Sequence, residues 1–265
     1  MRKTDGKEDM DGLLVHLRYL SALYPDLPVS KNFPSTESLE KVAASSPRDQ
    51  RKKTDTKVDS SERLSLESPG SRSESLDSLA LKVSECRDCP LGDSRTNPVF
   101  GEGNVNTRLL FIGEGPGAEE DRTGRPFVGR AGELLDKMIV AMGLSREEVY
   151  IANAVKCRPP ANRTPTVVER DACKHFLLEQ IRIISPEAIV LLGQTAIFQV
   201  ISNESTISSV RGVETLLQDF PGIRVMPTYH PAYLLRNPQA KALVWKDLQQ
   251  VMKWLALPLP VLREK

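Results

Sequence analysis

Cys86, Cys89, Cys157 and Cys173 are the only cysteines of the chain. They are spaced C-x2-C, then 67 residues, then C-x15-C, which suits one four-thiolate site closing a large loop. Such a set can hold structural zinc or an iron-sulfur cluster, because both accept four cysteine ligands. Two pairs of inert buried thiols are the bland alternative, disfavoured because C-x2-C is a ligand spacing and no cysteine is left over. Extracellular disulfides fit less well, since the N-terminus MRKTDGKEDMDG is polar and has no apolar signal-peptide core. An intracellular, reducing setting is expected.

Two further segments carry chemistry. Gly113-Glu114-Gly115-Pro116-Gly117 follows an apolar run, and glycines there let backbone amides approach an anion closely. By itself this turn is equally an ordinary strand-to-helix connection. It is neither G-x-G-x-x-G nor GxxxxGK[ST], so a nicotinamide cofactor and a nucleotide phosphate loop are both disfavoured. His230-Pro231-Ala232-Tyr233-Leu234-Leu235-Arg236-Asn237-Pro238 places apolar residues beside an arginine between prolines. Leu234 and Leu235 could wedge into a base stack with Arg236 on the backbone, or could be the core of a short helix.

These segments need a frame, and the apolar pattern supplies one. Runs at 108–113, 149–155, 187–193 and 223–230 read as buried strands. Between and after them, 131–143, a segment opened by Thr166, 195–201 and 239–255 read as helices, with Cys173 next to the apolar stripe Val168, Ala172 and Phe176. The alternation predicts a three-layer α/β sandwich around a mainly parallel four-stranded sheet, with ligands at the carboxyl ends of the strands. GEGPG, NAVKCRPP and HPAYLLRNP all fall at those ends.

The rest of the chain reads differently. Leu13, Leu14, Leu17, Leu20, Leu23 and Tyr24 recur at helical spacing before Pro25 and Pro28, so residues 1–30 are expected to carry one amphipathic helix, able to dock on a protein partner. Residues 31–80, rich in Ser, Asp, Glu, Lys and Arg, bury too little apolar surface to offset their ordering entropy and are expected to be a disordered linker. The folded domain is then expected over 81–265. With 40% hydrophobic and 27% charged residues and a formal net charge of +1, the chain has no apolar run that would span a bilayer. Any nucleic-acid contact must come from a local basic surface.

Taken together, C-R-D-C-P-L (86–91), G-E-G-P-G-A-E-E-D (113–121), T-G-R-P-F-V-G-R-A-G (123–132), N-A-V-K-C-R-P-P-A-N-R-T-P (153–165), Cys173 and H-P-A-Y-L-L-R-N-P (230–238) resemble the family 4 uracil-DNA glycosylases. The resemblance runs from about Val83 to Leu255. It implies a 4Fe-4S cluster on Cys86, Cys89, Cys157 and Cys173, a monomer acting on uracil in single- or double-stranded DNA, and a cytoplasmic, nucleoid-associated repair enzyme that leaves free uracil and an abasic site. A non-catalytic iron-sulfur DNA-binding protein of the same superfamily is the alternative.

By the same resemblance, Phe127 stacks on the flipped base, Asn153 reads its O4 and N3–H edge, and Glu120 supplies bulk near C5 against thymine. Gly115 and Gly117 belong to the substrate-binding turn. His230 donates to uracil O2 as charge develops, an oxyanion-hole type of contribution. Where the best-known superfamily motif has an Asp two residues after its first glycine, this chain has Gly115, so the water is assigned to Glu114 with Asn162. Between Pro126 and Ala131 there is no inserted basic loop of the kind that carries a covalent histidine, which favours hydrolysis. Leu234, Leu235 and Arg236 are the expected DNA contacts.

Overall fold

The computed structural model describes residues 69–202 and 204–258. The expected helix near residues 10–24 and most of the expected linker lie outside the described residues. Among the described residues no helix is long and apolar enough to cross a membrane.

The first described element corrects the expected linker boundary. Helix α1 spans Pro69–Glu85, so residues 69–80 are helical rather than disordered. The Ser- and Glu-rich composition conceals a stripe, because Leu76, Leu79 and Val83 are spaced to share one helix face, and all three are buried. The short helix α2, Leu91–Ser94, follows directly behind the first cysteine pair.

The central strands form because their apolar runs are buried on both faces, as parallel strands covered by helices require. They are β2 (Leu109–Gly113), β3 (Tyr150–Asn153), β4 (Ala188–Leu192) and β6 (Arg224–Thr228), and these four are mutually parallel in the order β3-β2-β4-β6. The four-stranded expectation is incomplete, since two-residue strands β1 (Glu102–Gly103) and β5 (Thr215–Leu216) add antiparallel edges against β3 and β6 and make the sheet six-stranded and mixed. Two residues are too few to leave a periodic signal.

Helices cover both faces. Leu110, Ile112, Ile189, Leu191 and Val225 pack with Leu76 of α1, with Leu177 and Ile181 of α5 (Val167–Ile184), and with Ala196 and Ile197 of α6 (Gln194–Val200). Strand alternation turns the fully buried Phe111, Ile151, Val190 and Met226 to the opposite face, where α9 (Lys241–Trp254) lies along β4 and β6. Helix α5 begins where the sequence indicates. The hydroxyl of Thr166 accepts from the Glu169 backbone N–H, and the Glu169 carboxylate accepts from the Thr166 N–H at 2.8 Å. Between β2 and β3 run α3 (Ala118–Thr123) and α4 (Arg130–Ala141), α7 (Ile207–Val210) precedes β5, and α8 (Pro231–Arg236) follows β6.

Register decides what meets at the carboxyl ends. Gly113 pairs with Asn153, and Leu192 with Thr228 two residues before His230. The three chemistry-bearing segments therefore arrive at one edge of the sheet.

Candidate active site and cysteine pocket

One cavity of about 390 Å³ opens at that edge, and its lining includes Glu114, Gly115, Gly117, Glu120, Phe127, Asn153, Asn162 and His230. All the residues assigned by resemblance to catalysis or base binding are thus brought together.

Phe127 is held from every side. Its backbone has φ +52°, a left-handed conformation that a bulky residue adopts only when its surroundings impose it. On one flank the Glu120 carboxylate accepts from the N–H groups of Val128 and Gly129, each at 3.0 Å, and from Gly117 at 3.1 Å. On the other flank the Arg146 guanidinium donates to the Pro126 carbonyl. Beneath it, a Cβ on Gly132 would come within 1.9 Å of the Phe127 carbonyl oxygen. The ring stacks on the His230 imidazole, with centroids 5.6 Å apart and planes 28° from parallel. The Glu120 carboxylate, which also lines the cavity, is thus engaged by three backbone N–H groups of the loop.

Asn153 is buried, and its Oδ1 is buried without a hydrogen-bond partner. An unpaired buried acceptor costs about 1–3 kcal/mol, so its presence in a cavity wall marks a place where a ligand donor belongs. The Asn153 main chain is fixed by Lys156, whose fully buried ammonium donates to the Asn153 carbonyl at 3.0 Å and to Gln180 Oε1. Burial pushes that lysine down to about 8.

His230 caps α8, with Nδ1 accepting from the Ala232 N–H at 3.1 Å. That bond leaves the ring proton on Nε2, so the imidazole is a donor in its neutral form. Burial, assisted by the positive charge of Arg236, lowers its pKa to about 4 and keeps it neutral at ordinary pH.

Glu114 and Asn162 both line the cavity, each oriented by a different partner. Thr195 Oγ1 donates to Glu114 Oε2, and Arg158 Nε donates to Asn162 Oδ1 at 2.8 Å. Asn162 and its neighbour Ala161 both have φ +55°. Their loop is anchored by Arg163, whose guanidinium makes a paired contact with Glu169 at 2.6 and 2.8 Å and holds that carboxyl down at about 2.

The expected DNA contacts divide. Leu234 is 1% exposed and belongs to the core under α8, so its assignment to DNA is corrected. In a helix of six residues one side must face inward, and Leu234 lies there while Tyr233, Leu235 and Arg236 point to solvent. Arg236, Leu235 and Tyr233 thus form the exposed shoulder beside the cavity.

The four cysteines line a second, much tighter pocket, together with Val83, Asp88, Arg95, Lys156 and Phe176 among others. They form no disulfide. Arg95 Nη1 donates to Cys157 Sγ at 3.0 Å, and the Lys156 N–H to Cys173 Sγ at 3.3 Å. Burial raises the thiols of Cys86, Cys157 and Cys173, the last to about 11, a setting for metal ligands or inert thiols and not for nucleophiles. Among the described residues no three Cys, His, Asp or Glu side chains are gathered closely enough to hold a single metal ion.

Thr195, Lys156, Arg146 and Arg158 are absent from the candidates named in the sequence analysis. Thr195 had a usable signal, since Gly193-Gln194-Thr195 follows a strand just as GEGPG does.

A mainly parallel α/β sheet thus carries at its carboxyl edge a cavity walled by an unpaired amide oxygen, an aromatic ring and a neutral histidine. A family model described as the uracil DNA glycosylase superfamily matches residues 100–249. The type-4 uracil-DNA glycosylase of Thermotoga maritima is 50% identical over 187 residues, covering 69% of this chain and 96% of that protein. Those of Archaeoglobus fulgidus and Sulfurisphaera tokodaii are each 42% identical, covering 67% and 70% of this chain and 92% and 87% of theirs. The chain belongs to the type-4 uracil-DNA glycosylases.

Proposed function

We propose that this protein is a DNA-repair glycosylase that hydrolyses the N-glycosidic bond of uracil in DNA, releasing free uracil and leaving an abasic site. The observation that carries this reading is the orphaned Asn153 Oδ1 in the wall of a cavity shared with Phe127 and His230. Uracil offers a donor at N3, which satisfies that oxygen, and an acceptor at O4 for the amide N–H. Cytosine offers the reverse pattern at both atoms.

A base inside a duplex cannot reach this cavity, so the nucleotide must be flipped out, most cheaply from a mismatch or a single strand. Phe127 offers its face to the extruded ring, and Leu235 and Arg236 meet the DNA at the rim. As the glycosidic bond breaks, negative charge grows on uracil O2, where neutral His230 donates from Nε2 without having to lose a proton. Glu114 and Asn162 hold the attacking water, with Glu114 accepting one of its hydrogens so that the oxygen lone pair is turned towards the sugar. Glu120 supplies bulk that disfavours the methyl of thymine.

The cysteine pocket fits a 4Fe-4S cluster. Four thiols line one pocket, and two of them accept N–H donors as cluster-bound thiolates do. A bound cluster would supply four iron–thiolate bonds cross-linking the segment after α1, the loop after β3 and α5. With Glu114, Phe127, Asn153 and His230 all in one cavity, the non-catalytic alternative is disfavoured.

The test is release of free base from oligonucleotides carrying uracil, thymine or cytosine, unpaired or opposite G. Uracil release by the wild type, slowed two to three orders of magnitude in Asn153→Ala as about one preorganised contact predicts, supports the reading. Absence of uracil release, or an unaffected Asn153→Ala, refutes it.

A further inference from the structure

Glu114 sits at the end of β2, the central strand, and each neighbouring strand sends a contact to it. From the β3 side the Val155 N–H donates to the Glu114 carbonyl at 3.1 Å, extending the ladder beyond the strand. From the β4 side comes the Thr195 hydroxyl, donated to Glu114 Oε2 by a residue 81 positions away and only 1% exposed. The backbone bond fixes where Glu114 is, and the hydroxyl fixes where its carboxylate points.

The turn that delivers Thr195 is itself tied to the other catalytic residue. Gly193, with φ +90°, caps α6, and its N–H donates to the Thr228 carbonyl at 2.9 Å. A Cβ there would stand 3.0 Å from the His230 Cβ. One corner, Gly193-Gln194-Thr195, thus lies against His230 with its first residue and holds Glu114 with its third.

We propose that Thr195 is a positioning residue for the hydrolytic step. Its hydroxyl occupies one carboxylate oxygen of Glu114, leaving the other to take the hydrogen of the attacking water. A threonine suits the task. Its β-branch restricts the side-chain rotamer, and the Gly193 cap sets the backbone from which it reaches. A freely rotating carboxylate would hold water in several orientations, only a fraction of them aligned with the breaking bond, so losing the hydroxyl lowers the rate without altering how the base is bound.

This inference rests on the assignment of Glu114 to the water, so the experiment separates the two. Single-turnover uracil release is measured for the wild type, Thr195→Val, Thr195→Ser, Glu114→Gln and the Thr195→Val/Glu114→Gln double variant, alongside affinity for an uncleavable uracil-analogue oligonucleotide. Thr195→Val, close in shape but without the hydroxyl, is expected to lower the rate about tenfold, the effect of one hydrogen bond to a charged group. Affinity is expected to stay within about twofold, and Thr195→Ser to recover most of the rate. In the Glu114→Gln background the valine substitution is expected to add less than about twofold, because its effect passes through a carboxylate already altered. A tenfold loss in Glu114→Gln with a wild-type Thr195→Val overturns the positioning role and leaves the Glu114 assignment standing. Wild-type rates in both overturn both. Full additivity, or weakened analogue affinity in Thr195→Val, also overturns the inference, since either means that Thr195 acts by another route. If Thr195→Val does not fold, Thr195→Ala provides the same comparison without the added bulk.

Discussion

Gly113 gives the sharpest test of how base recognition is built. Its backbone needs no left-handed conformation, so Gly113→Ala adds one methyl and no dihedral strain. That methyl would stand 2.4 Å from Phe127 Cζ and 2.6 Å from Asn153 Oδ1, far inside contact distance of both recognition groups at once. Neither can simply retreat. Phe127 is held through Pro126 by Arg146, through Val128 by Glu120 and from below by Gly132, while the Asn153 carbonyl is held by Lys156. Overpacking of this kind costs about 1–3 kcal/mol of stability. Displacing the base-reading groups by something approaching 1 Å costs about a hundredfold in rate. We expect Gly113→Ala to fold, with a melting temperature lowered by several degrees, and to lose about two orders of magnitude in single-turnover uracil release. Thermal melting and quenched-flow release from a uracil oligonucleotide measure the two effects separately. A variant that melts lower yet cleaves at the wild-type rate would show that Phe127 and Asn153 are not the recognition floor.

Because His230 has a folded pKa near 4 against about 6.5 unfolded, only the unfolded chain takes up that proton between those values, so its contribution to stability is full above 6.5 and lost as pH falls through 4. With three histidines in the chain, NMR titration can assign it; a midpoint near 4 is expected, and one at 6.5 or above would remove the neutral-donor argument. Protein purified without oxygen should carry about four irons per chain, and Cys173→Ser should lose them and expose residues 157–166 to protease; stoichiometric zinc instead would refute the cluster. Lys156→Met should cleave uracil at least about tenfold more slowly because the Asn153 carbonyl loses its charged donor; an unchanged rate would mean the loop holds itself.

The central sheet was legible because four buried strands leave continuous apolar runs, and the lining of the cavity was legible because the family motifs fall at the carboxyl ends of those runs. What stayed hidden has physical reasons. Strands β1 and β5 are too short for a period, and α1 hides three apolar residues within a serine- and acid-rich stretch. In a helix as short as α8, no pattern says whether Leu234 or Leu235 turns inward. Thr195, Arg146 and Lys156 escape for another reason: their work is on residues 81, 20 and 3 positions away, through contacts that exist only once the sheet has formed.

Lys156 and Arg146, together with Glu120, explain how the cavity can carry two unfavourable features. An unpaired Asn153 oxygen and a phenylalanine at φ +52° are each unfavourable by about 1–3 kcal/mol, together a sizeable part of the 5–15 kcal/mol that usually keeps a domain folded. Left to itself the loop would relax, turning the amide to a neighbour and the ring to a commoner conformation. Lys156, Glu120 and Arg146 prevent this by fixing backbone atoms on either side of the two groups, so that the penalty can be relieved only from inside the cavity. On the proposed base-reading role of Asn153, a uracil N3–H would do so by pairing the orphaned oxygen. Cytosine would bring a lone pair to the same place, leaving the oxygen unpaired and adding repulsion. Discrimination on that role would come less from attraction to the right base than from the failure of the wrong one to remove a penalty the protein already bears.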